Sequence, residues 1–294
     1  MKKPKINIDD VPELTSEEIV ETLLADSGVM GTLPTDEHAL LDFLGLTQLS
    51  FDFMAELDNL MPEGDFADKR SDSVRGLRAA LSKNENVVAI NSDLGEKRGR
   101  FSTFHEIAHF ILPEHHEKLF LDDDETLSWW SRIRLEQEAN RVAADMLFQG
   151  RRFAAEANDQ SLSLRAVLDL APKYGASYEA TARRYVEGHV VPCALVVYEK
   201  IAKTNEVDFE EDLYRLQYAR VSGPFQKQFF RNLQSEPNRF NRSDLYGPKY
   251  WGEITEREFI VGNGENSKWH FDTDVFSNGY KIFQLIKRET SRRE

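Results

Sequence analysis

Apolar residues recur at helical spacing in two short segments near the start of the chain. In residues 16–30 they fall on one face of a helix, and Thr15 precedes them at the position of an N-cap. Residues 36–45 repeat the pattern and end at Gly45, a residue typical of the position after a helix. The two segments are therefore predicted to be amphipathic helices, preceded by a loose arm over residues 1–15.

Short apolar runs and longer helical patterns alternate through the middle of the chain. A short apolar run, as at 87–90, or an alternation of apolar and polar residues, as at 49–53, predicts a strand, whereas apolar residues three or four positions apart predict a helix. Pro113 cannot continue a helix, and Gly150 is typical of a helix end, so each marks a boundary. The predicted elements are strands over residues 49–53 and 87–90, and helices that end near Leu112 and that cover 129–149, 161–172 and 177–186.

The pattern changes after about residue 190, where strand-like apolar runs replace the helical spacing. These runs lie at residues 194–198, 259–261 and 281–286. The predicted fold class is α+β, with a helical core, a small antiparallel sheet and a C-terminal α+β region. The predicted domains are an N-terminal arm and helix over residues 1–34, a central domain over 35–190 and a C-terminal domain over 191–294.

Composition and charge restrict the partners that the chain can bind. It has 294 residues, of which 40% are hydrophobic, enough for a buried core. Its net charge is -14 and its pI is about 5.1. Because nucleic-acid phosphates repel an acidic protein, we expect a protein or peptide partner and no direct contact with nucleic acid.

Cysteine use and the N-terminal sequence predict a cytoplasmic protein. The single cysteine, Cys193, cannot form an internal disulfide, which fits a reducing compartment. It lies in an apolar run, and we interpret it as a buried small hydrophobic residue rather than a catalytic thiol. The polar N-terminal segment predicts no secretory signal, and no apolar run reaches the length of a membrane span, so no membrane partner is expected.

The strongest chemical signal in the sequence is His105-Glu106-Ile107-Ala108-His109. Residues four apart lie one above the other on a helix, so His105 and His109 can bind one metal ion together. Glu106 lies at the edge of the same face, where its carboxylate can act as a general base on a water molecule. The pattern is typical of zinc-dependent peptidases; the alternative is a pair of core histidines with backbone partners.

A catalytic zinc ion usually has three protein ligands, so a third ligand is expected. Glu136 lies on a second amphipathic helix, on a face that it shares with Asn140, and we favour it as this ligand. Glu138 points about 200° away around the helix, so both cannot be ligands, and Glu138 is the alternative. Asn140, one turn after Glu136, is a candidate to hydrogen-bond a ligand. Less favoured are His115, His116 and the acidic run over residues 122–125.

Four blocks of sequence around these candidates follow a known pattern. They are residues 87–91, which end in Ile90-Asn91; residues 100–110, which read RFSTFHEIAHF; residues 136–147, which read EQEANRVAADML; and residues 176–184, which read ASYEATARR. Together these blocks resemble the ImmA/IrrE family of zinc metallopeptidases over about residues 35–190. This resemblance is more specific than the five-residue motif, because it covers several separate segments.

The resemblance implies a ligand set and a substrate class. In that family the third zinc ligand is a glutamate of the second large block, and its offset matches Glu136. The family cleaves helix-turn-helix transcriptional repressors, which implies release of prophage, mobile-element or stress genes. Two departures are Ala108, where the family has glycine, and Phe148-Gln149, where it often has methionine-proline; we expect the latter to alter only the helix exit.

We therefore predict a zinc metallopeptidase, a hydrolase in which His105, His109 and Glu136 bind Zn2+ and Glu106 is catalytic. The alternative is a non-catalytic zinc-binding regulatory module that binds a repressor without cleaving it, and a third hypothesis is a zinc hydrolase of non-peptide substrates. A structural site needs no base and needs a fourth ligand, which favours the enzyme. A strand at 87–90 can pair with an extended substrate if it is a sheet edge. The candidates for a second oxyanion donor are His115, His116, Tyr178 and Tyr185.

Overall fold

The chain has an α+β fold in a computed structural model, which confirms the predicted fold class. It divides into two compact units, Met1–Gly150 and Arg151–Glu294. The domain boundaries after residues 34 and 190 stay predictions. The structure describes residues 15–52, 78–113, 115, 129–201, 213–229, 240–241, 255–262 and 268–288, so the predicted arm lies almost wholly outside the described residues.

The described part of the first unit contains four helices and one sheet. The strand order of this sheet is β1–β3–β2; β1 runs parallel to β3, and β2 runs antiparallel to it. The elements in chain order are α1 (Ser16–Asp26), α2 (Glu37–Leu44), β1 (Thr47–Phe51), β2 (Ala79–Ser82), β3 (Val87–Asn91), α3 (Glu96–Ile111) and α4 (Trp129–Phe148).

Local sequence signals set the ends of the first two helices. The Thr15 hydroxyl accepts the backbone N–H of Glu18, and the Glu18 carboxylate accepts the backbone N–H of Thr15, which forms a capping box. Asp36 caps α2 by accepting two backbone N–H groups of its first turn. Gly45 follows α2 with a φ of 73°, a left-handed conformation that favours glycine. Both predicted helices are confirmed, although α1 is shorter than predicted.

The strand considered as a sheet edge lies in the middle of its sheet. β3 pairs with β1 on one side and with β2 on the other, so the condition for pairing with a substrate is not met at residues 87–90. Among the described residues, the edge on the other side of β3 is β2, which the sequence did not reveal. Its Ala-Ala-Leu-Ser sequence has no β-branched or aromatic residue and therefore carries little strand propensity.

Helices α3 and α4 pack against each other in the first unit. Small residues on both helices are fully buried and leave room for close approach. Burial of a large apolar side chain stabilises by about 1.5–3 kcal/mol, whereas an exposed ion pair contributes about 0–1 kcal/mol. Apolar packing rather than charge pairing therefore holds the two helices in position. The buried apolar residues are Phe104, Ile107, Ala108 and Ile111 on α3 and Leu135, Ala139, Val142, Ala143, Met146 and Leu147 on α4.

Gln149, just after α4, is buried and fastens the loop that precedes α2. Its side-chain nitrogen donates to the Thr32 carbonyl at 2.7 Å and to the Thr35 hydroxyl at 3.2 Å, and its side-chain oxygen accepts the Gly31 N–H at 3.0 Å. Its φ of 52° is left-handed, which reverses the chain at once after the helix. The expectation that Phe148-Gln149 alters only the helix exit is therefore wrong, since Gln149 also anchors a distant segment.

The second unit places helices before a six-stranded antiparallel sheet with the order β6–β5–β4–β9–β8–β7. The predicted helices at 161–172 and 177–186 and the three predicted strands are confirmed with shifted or extended ends. The elements are α5 (Arg151–Asn158), α6 (Leu164–Lys173), α7 (Tyr178–Glu187), β4 (Cys193–Lys200), β5 (Leu213–Val221), α8 (Gly223–Phe229), β6 (Phe240–Asn241), β7 (Thr255–Gly262), β8 (Lys268–Ser277) and β9 (Lys281–Arg288).

The core of the second unit surrounds β4, a central strand whose first six residues are buried. Cys193 is fully buried at its start, and burial raises the pKa of its thiol to about 12. This confirms the interpretation of Cys193 as a small hydrophobic core residue, because a protonated buried thiol is a poor nucleophile. Among the described helices of the chain, none is long and apolar enough to cross a membrane.

Candidate metal centre

The first two candidate ligands lie on α3, one helical turn apart. Their ring nitrogens point to one place: Nε2 of His105 lies 3.1 Å from Nε2 of His109. The two side chains are largely buried, with exposed fractions of 18% and 15%. The four-residue spacing therefore produces the convergence of imidazoles that the motif predicts.

Helix α4 brings a carboxylate to the same place. One oxygen of Glu136 lies 3.2 Å from Nε2 of His105, and the other lies 3.4 Å from Nε2 of His109. Glu138 faces away from this pair and contacts Nε2 of His115 at 3.5 Å. Of the described residues, those that can share a metal ion here are His105, His109 and Glu136. Between the two glutamates that the sequence left open, the structure therefore brings Glu136 to the histidines.

The spacing between the histidine nitrogens and the Glu136 carboxylate fits a tetrahedral metal site. Zinc lies about 2.0–2.1 Å from histidine nitrogen and carboxylate oxygen, so two ligands of a tetrahedral site are roughly 3.3 Å apart. The two histidine nitrogens are 3.1 Å apart, and they lie 3.2 and 3.4 Å from the two different oxygens of Glu136, so each separation is close to this value. The Glu136 side chain is 58% exposed, so the site is open to solvent on one side. An open position is typical of catalytic rather than structural metal sites.

Electrostatics within the group favour a charged carboxylate at Glu136. Hydrogen bonds with His105 and His109 hold its pKa well below the usual range. Burial by itself would lower the pKa of His105, but the bond to Glu136 and the nearby carboxylates outweigh it and raise that pKa. The metal-free site therefore also favours a proton on His105 beside the Glu136 carboxylate, and a metal ion would displace this proton.

Glu106 lies beside the ligand group and lines the same cleft, but its surroundings differ. Its side chain is nearly buried, and burial raises the pKa of its carboxyl above the usual range, although the neighbouring histidines oppose this. A carboxylate with a raised pKa is a better proton acceptor at neutral pH. Two carboxyl groups in one cleft therefore have opposite pKa shifts, an arrangement typical of sites that divide binding from proton transfer.

The ligand group opens into a cleft of about 790 Å³. One wall is the edge strand β2 with the following turn, which contributes Leu81, Ser82 and Lys83, and the other wall is α3. Asn140 of α4 also lines the cleft and is in hydrogen-bonding contact with the His105 ring, as the sequence predicted for a residue supporting a ligand. The cleft combines backbone, apolar and charged groups beside the ligands, a suitable surface for a peptide.

The other sequence candidates do not join the ligand group. His115 is fully buried and lies next to His109 instead of lining the cleft. Tyr185 is fully buried in the second unit, where its hydroxyl donates to the Ser161 carbonyl, and Tyr178 packs its ring against Phe276. His116 and residues 122–125 lie outside the described residues. His115 thus contacts His109 rather than the cleft. Among the described candidates, the structure identifies no second oxyanion donor.

Comparison with known protein families agrees with this arrangement. Residues 63–185 match the model of a peptidase family described as the IrrE N-terminal-like domain. The match includes α3 and α4, which carry all four predicted site residues, and it confirms the resemblance seen in the sequence. No curated protein matches the chain.

Comparison with solved structures extends the likeness of fold beyond this segment. A Mycobacterium tuberculosis transcriptional regulator is similar with a TM-score of 0.51 and 13% sequence identity. The alignment covers 93% of this chain and 75% of the regulator. At this identity the likeness concerns the fold alone.

Proposed function

We propose that this chain, whose residues 63–185 match the IrrE N-terminal-like domain of a peptidase family, is a zinc-dependent endopeptidase that cleaves a regulatory protein. The observation that carries the proposal is the convergence of the His105 and His109 nitrogens and the Glu136 carboxylate, with separations of 3.1, 3.2 and 3.4 Å, beside the buried carboxyl of Glu106. Three ligands, one open side and one unligated acid are the components of a hydrolytic zinc site.

In this proposal the two histidines and Glu136 hold the zinc ion, while Glu106 moves protons. When bound, zinc supplies Lewis acidity that makes a coordinated water more acidic and polarises a peptide carbonyl. Glu106 takes the proton from the attacking water and then delivers it to the leaving amine. Its raised pKa makes the carboxylate a stronger proton acceptor in the first step, and the proton that it takes there is the one that it delivers in the second.

The edge strand β2 gives the cleft a way to hold an extended peptide. Among the described strands, β2 pairs with β3 alone, so its other side would offer backbone N–H and carbonyl groups beside the candidate ligands. A substrate segment that adds a strand to this edge would be bound through its backbone, with side-chain pockets supplying the specificity. The lining residues Leu81 and Phe101 would contact apolar substrate side chains.

The proposed substrate is a helix-turn-helix transcriptional repressor of a prophage, mobile element or stress response. The resemblance of the sequence blocks to the ImmA/IrrE family supports this class of substrate. The net charge of -14 argues against direct binding to nucleic acid, so the repressor rather than its operator is the expected partner. The structurally similar mycobacterial protein is a transcriptional regulator, which is compatible with a role in gene control.

A non-catalytic zinc module that only binds the repressor is the competing function. A module of this kind does not explain the position or the raised pKa of Glu106, because a structural zinc site needs no proton acceptor. It also requires a closed ligand shell, whereas Glu136 leaves the site open to solvent. The peptidase therefore accounts for more of the observed groups.

Comparison of protein N-termini in cells tests this function. Cells producing the wild-type chain should contain new internal N-termini, which should be absent when the chain carries Glu106→Gln. We expect these to include a cleaved transcriptional repressor, identified by mass spectrometry of labelled N-termini. Identical N-termini in the two strains, with both proteins folded and zinc-loaded under the inducing condition of the host, would contradict the peptidase proposal.

Zinc affinity is expected to weaken as the pH falls through the raised pKa of His105. Zinc binds only the neutral imidazole, and the metal-free site holds a proton on His105 more tightly than free histidine does. Below that pKa, zinc must displace the proton of His105, so the apparent zinc affinity falls about tenfold for each unit by which the pH is lowered. Chelator competition between pH 5.5 and 8.5, about the range in which histidine titrates, measures this. An affinity that does not change with pH would contradict the assigned ligand.

A further inference from the structure

His115 lies against His109, one of the candidate ligands, and is not among the residues that line the cleft. It follows the end of α3, and its side chain is fully buried. Its Nδ1 lies 2.8 Å from Nδ1 of His109, with the ring centroids 4.8 Å apart. Its backbone is also held, because its N–H donates to the Leu112 carbonyl and its carbonyl accepts Nζ of Lys83. A distance of 2.8 Å between two ring nitrogens requires that one of them carry a proton.

The position of the metal ligands decides which nitrogen carries this proton. Nε2 of His109 faces Glu136 and His105, so it must be unprotonated when it binds a metal ion. The proton of neutral His109 is then on Nδ1, which donates to Nδ1 of His115. His115 in turn carries its own proton on Nε2, a buried nitrogen without a hydrogen-bond partner among the described residues, and the nearby Glu138 carboxylate lies 3.5 Å away, within ion-pair distance. One assignment of protons therefore satisfies the bond between the two histidines and places the N–H of His115 toward Glu138.

We propose that His115 is a positioning residue that fixes the tautomer and ring orientation of His109 for metal binding, and that Glu138 supports His115. This inference rests on the proposed zinc site. Imidazole ligands commonly donate their second N–H to a carboxylate, carbonyl or other acceptor, which orients the ring and raises its basicity. Here a second histidine is that acceptor, a role that the spacing of the sequence motif does not indicate.

The same scheme assigns a separate use to each polar residue of the Glu136-Gln137-Glu138-Ala139-Asn140 segment that faces α3. Glu136 approaches both ligand histidines, Asn140 contacts the ring of His105, and Glu138 serves His109 through His115. The two glutamates lie about 200° apart on the helix, and they contact different histidines. Each metal-binding imidazole therefore has its own supporting partner.

Three substitutions at position 115 separate positioning from packing. His115→Asn places an amide oxygen two bonds from Cβ, where Nδ1 lies in histidine, and can accept the proton of His109. His115→Gln places its amide one atom farther out, nearer the place of Nε2, and His115→Leu fills similar space without an acceptor. Loss of a supporting partner of this kind costs about 10–100-fold in metal affinity. We expect this loss in the Gln and Leu variants, and near wild-type affinity in the Asn variant.

The zinc dissociation constant, measured by chelator competition, is the principal readout. The visible spectrum of the cobalt-substituted protein is the second, because it reports distortion of the ligand geometry. Melting temperatures of the metal-free variants show whether each one folds. Equal affinity in all three variants, or an affinity that follows the melting temperature rather than the presence of the acceptor, would overturn the proposal. If the folded wild-type protein binds no zinc, the proposed function fails together with the positioning role. If the wild type binds zinc but the zinc affinities of the variants do not follow the expected order, the positioning role alone fails.

Discussion

Replacement of Glu106 by glutamine is expected to lower the rate of peptide hydrolysis by about 10²–10⁴-fold and to leave one zinc ion bound. The amide has nearly the same shape as the carboxylate but cannot accept the proton of the attacking water. Glu106 is not part of the ligand group, so its substitution should not release the metal. Cleavage of a substrate peptide and zinc content, measured on the same preparation, test both parts of this prediction.

The matched control for this variant is Glu96→Gln. Glu96 lies in the first turn of the same helix, is exposed and does not line the cleft. The control removes the same charge, so it reports the effect of net charge without removing the base. Full activity of the Glu106→Gln protein would show that another group moves the proton, whereas loss of zinc in that protein would show that Glu106 supports the ligand set.

Replacement of Glu136 by alanine is expected to abolish zinc binding at stoichiometric concentrations and hydrolysis with it. Glu136 contributes one of three ligand atoms and lies within 3.4 Å of both histidine nitrogens. Its removal leaves two neutral imidazoles, which provide no charge to balance the dication. Plasma mass spectrometry of the purified variant measures the metal content.

Glu138→Ala is the matched control, since both glutamates lie in one turn of α4. We expect this variant to retain about one zinc per chain, with the lower affinity that follows from the loss of support for His115. Loss of stoichiometric zinc in Glu138→Ala together with retention in Glu136→Ala would contradict the ligand assignment. That result would place the ligand on the face of α4 that meets His115.

The elements that carry the candidate ligands were predictable because their signals are local. The histidine helix ends where Pro113 interrupts the pattern, and the α4 pattern of apolar residues is long and regular. The choice of Glu136 over Glu138 also followed from the sequence, since the helical period places one of them with Asn140. The structure brings Glu136 to the two histidines, as that choice requires.

The contacts that depend on packing between distant segments were not predictable from local pattern. β2 has too weak a strand propensity to be recognised, and only its pairing with β3 makes it the wall of the cleft. The local pattern assigns His115 to a loop leaving α3, yet the return of α4 buries it between His109 and Glu138. Glu138, the second acidic residue in the Glu136 segment, indicated that a further contact was available. The spacing of the sequence could not show that this contact is with His115.

The central claim is that His105, His109 and Glu136 hold one zinc ion, and the metal content of the wild-type chain tests it most directly. The protein is purified under zinc-replete conditions, freed of loosely bound metal and analysed by plasma mass spectrometry. We predict about one zinc per chain, as expected for a single three-ligand site. A folded wild-type protein without zinc would contradict the claim and leave a protein-binding domain whose histidine motif has lost its metal.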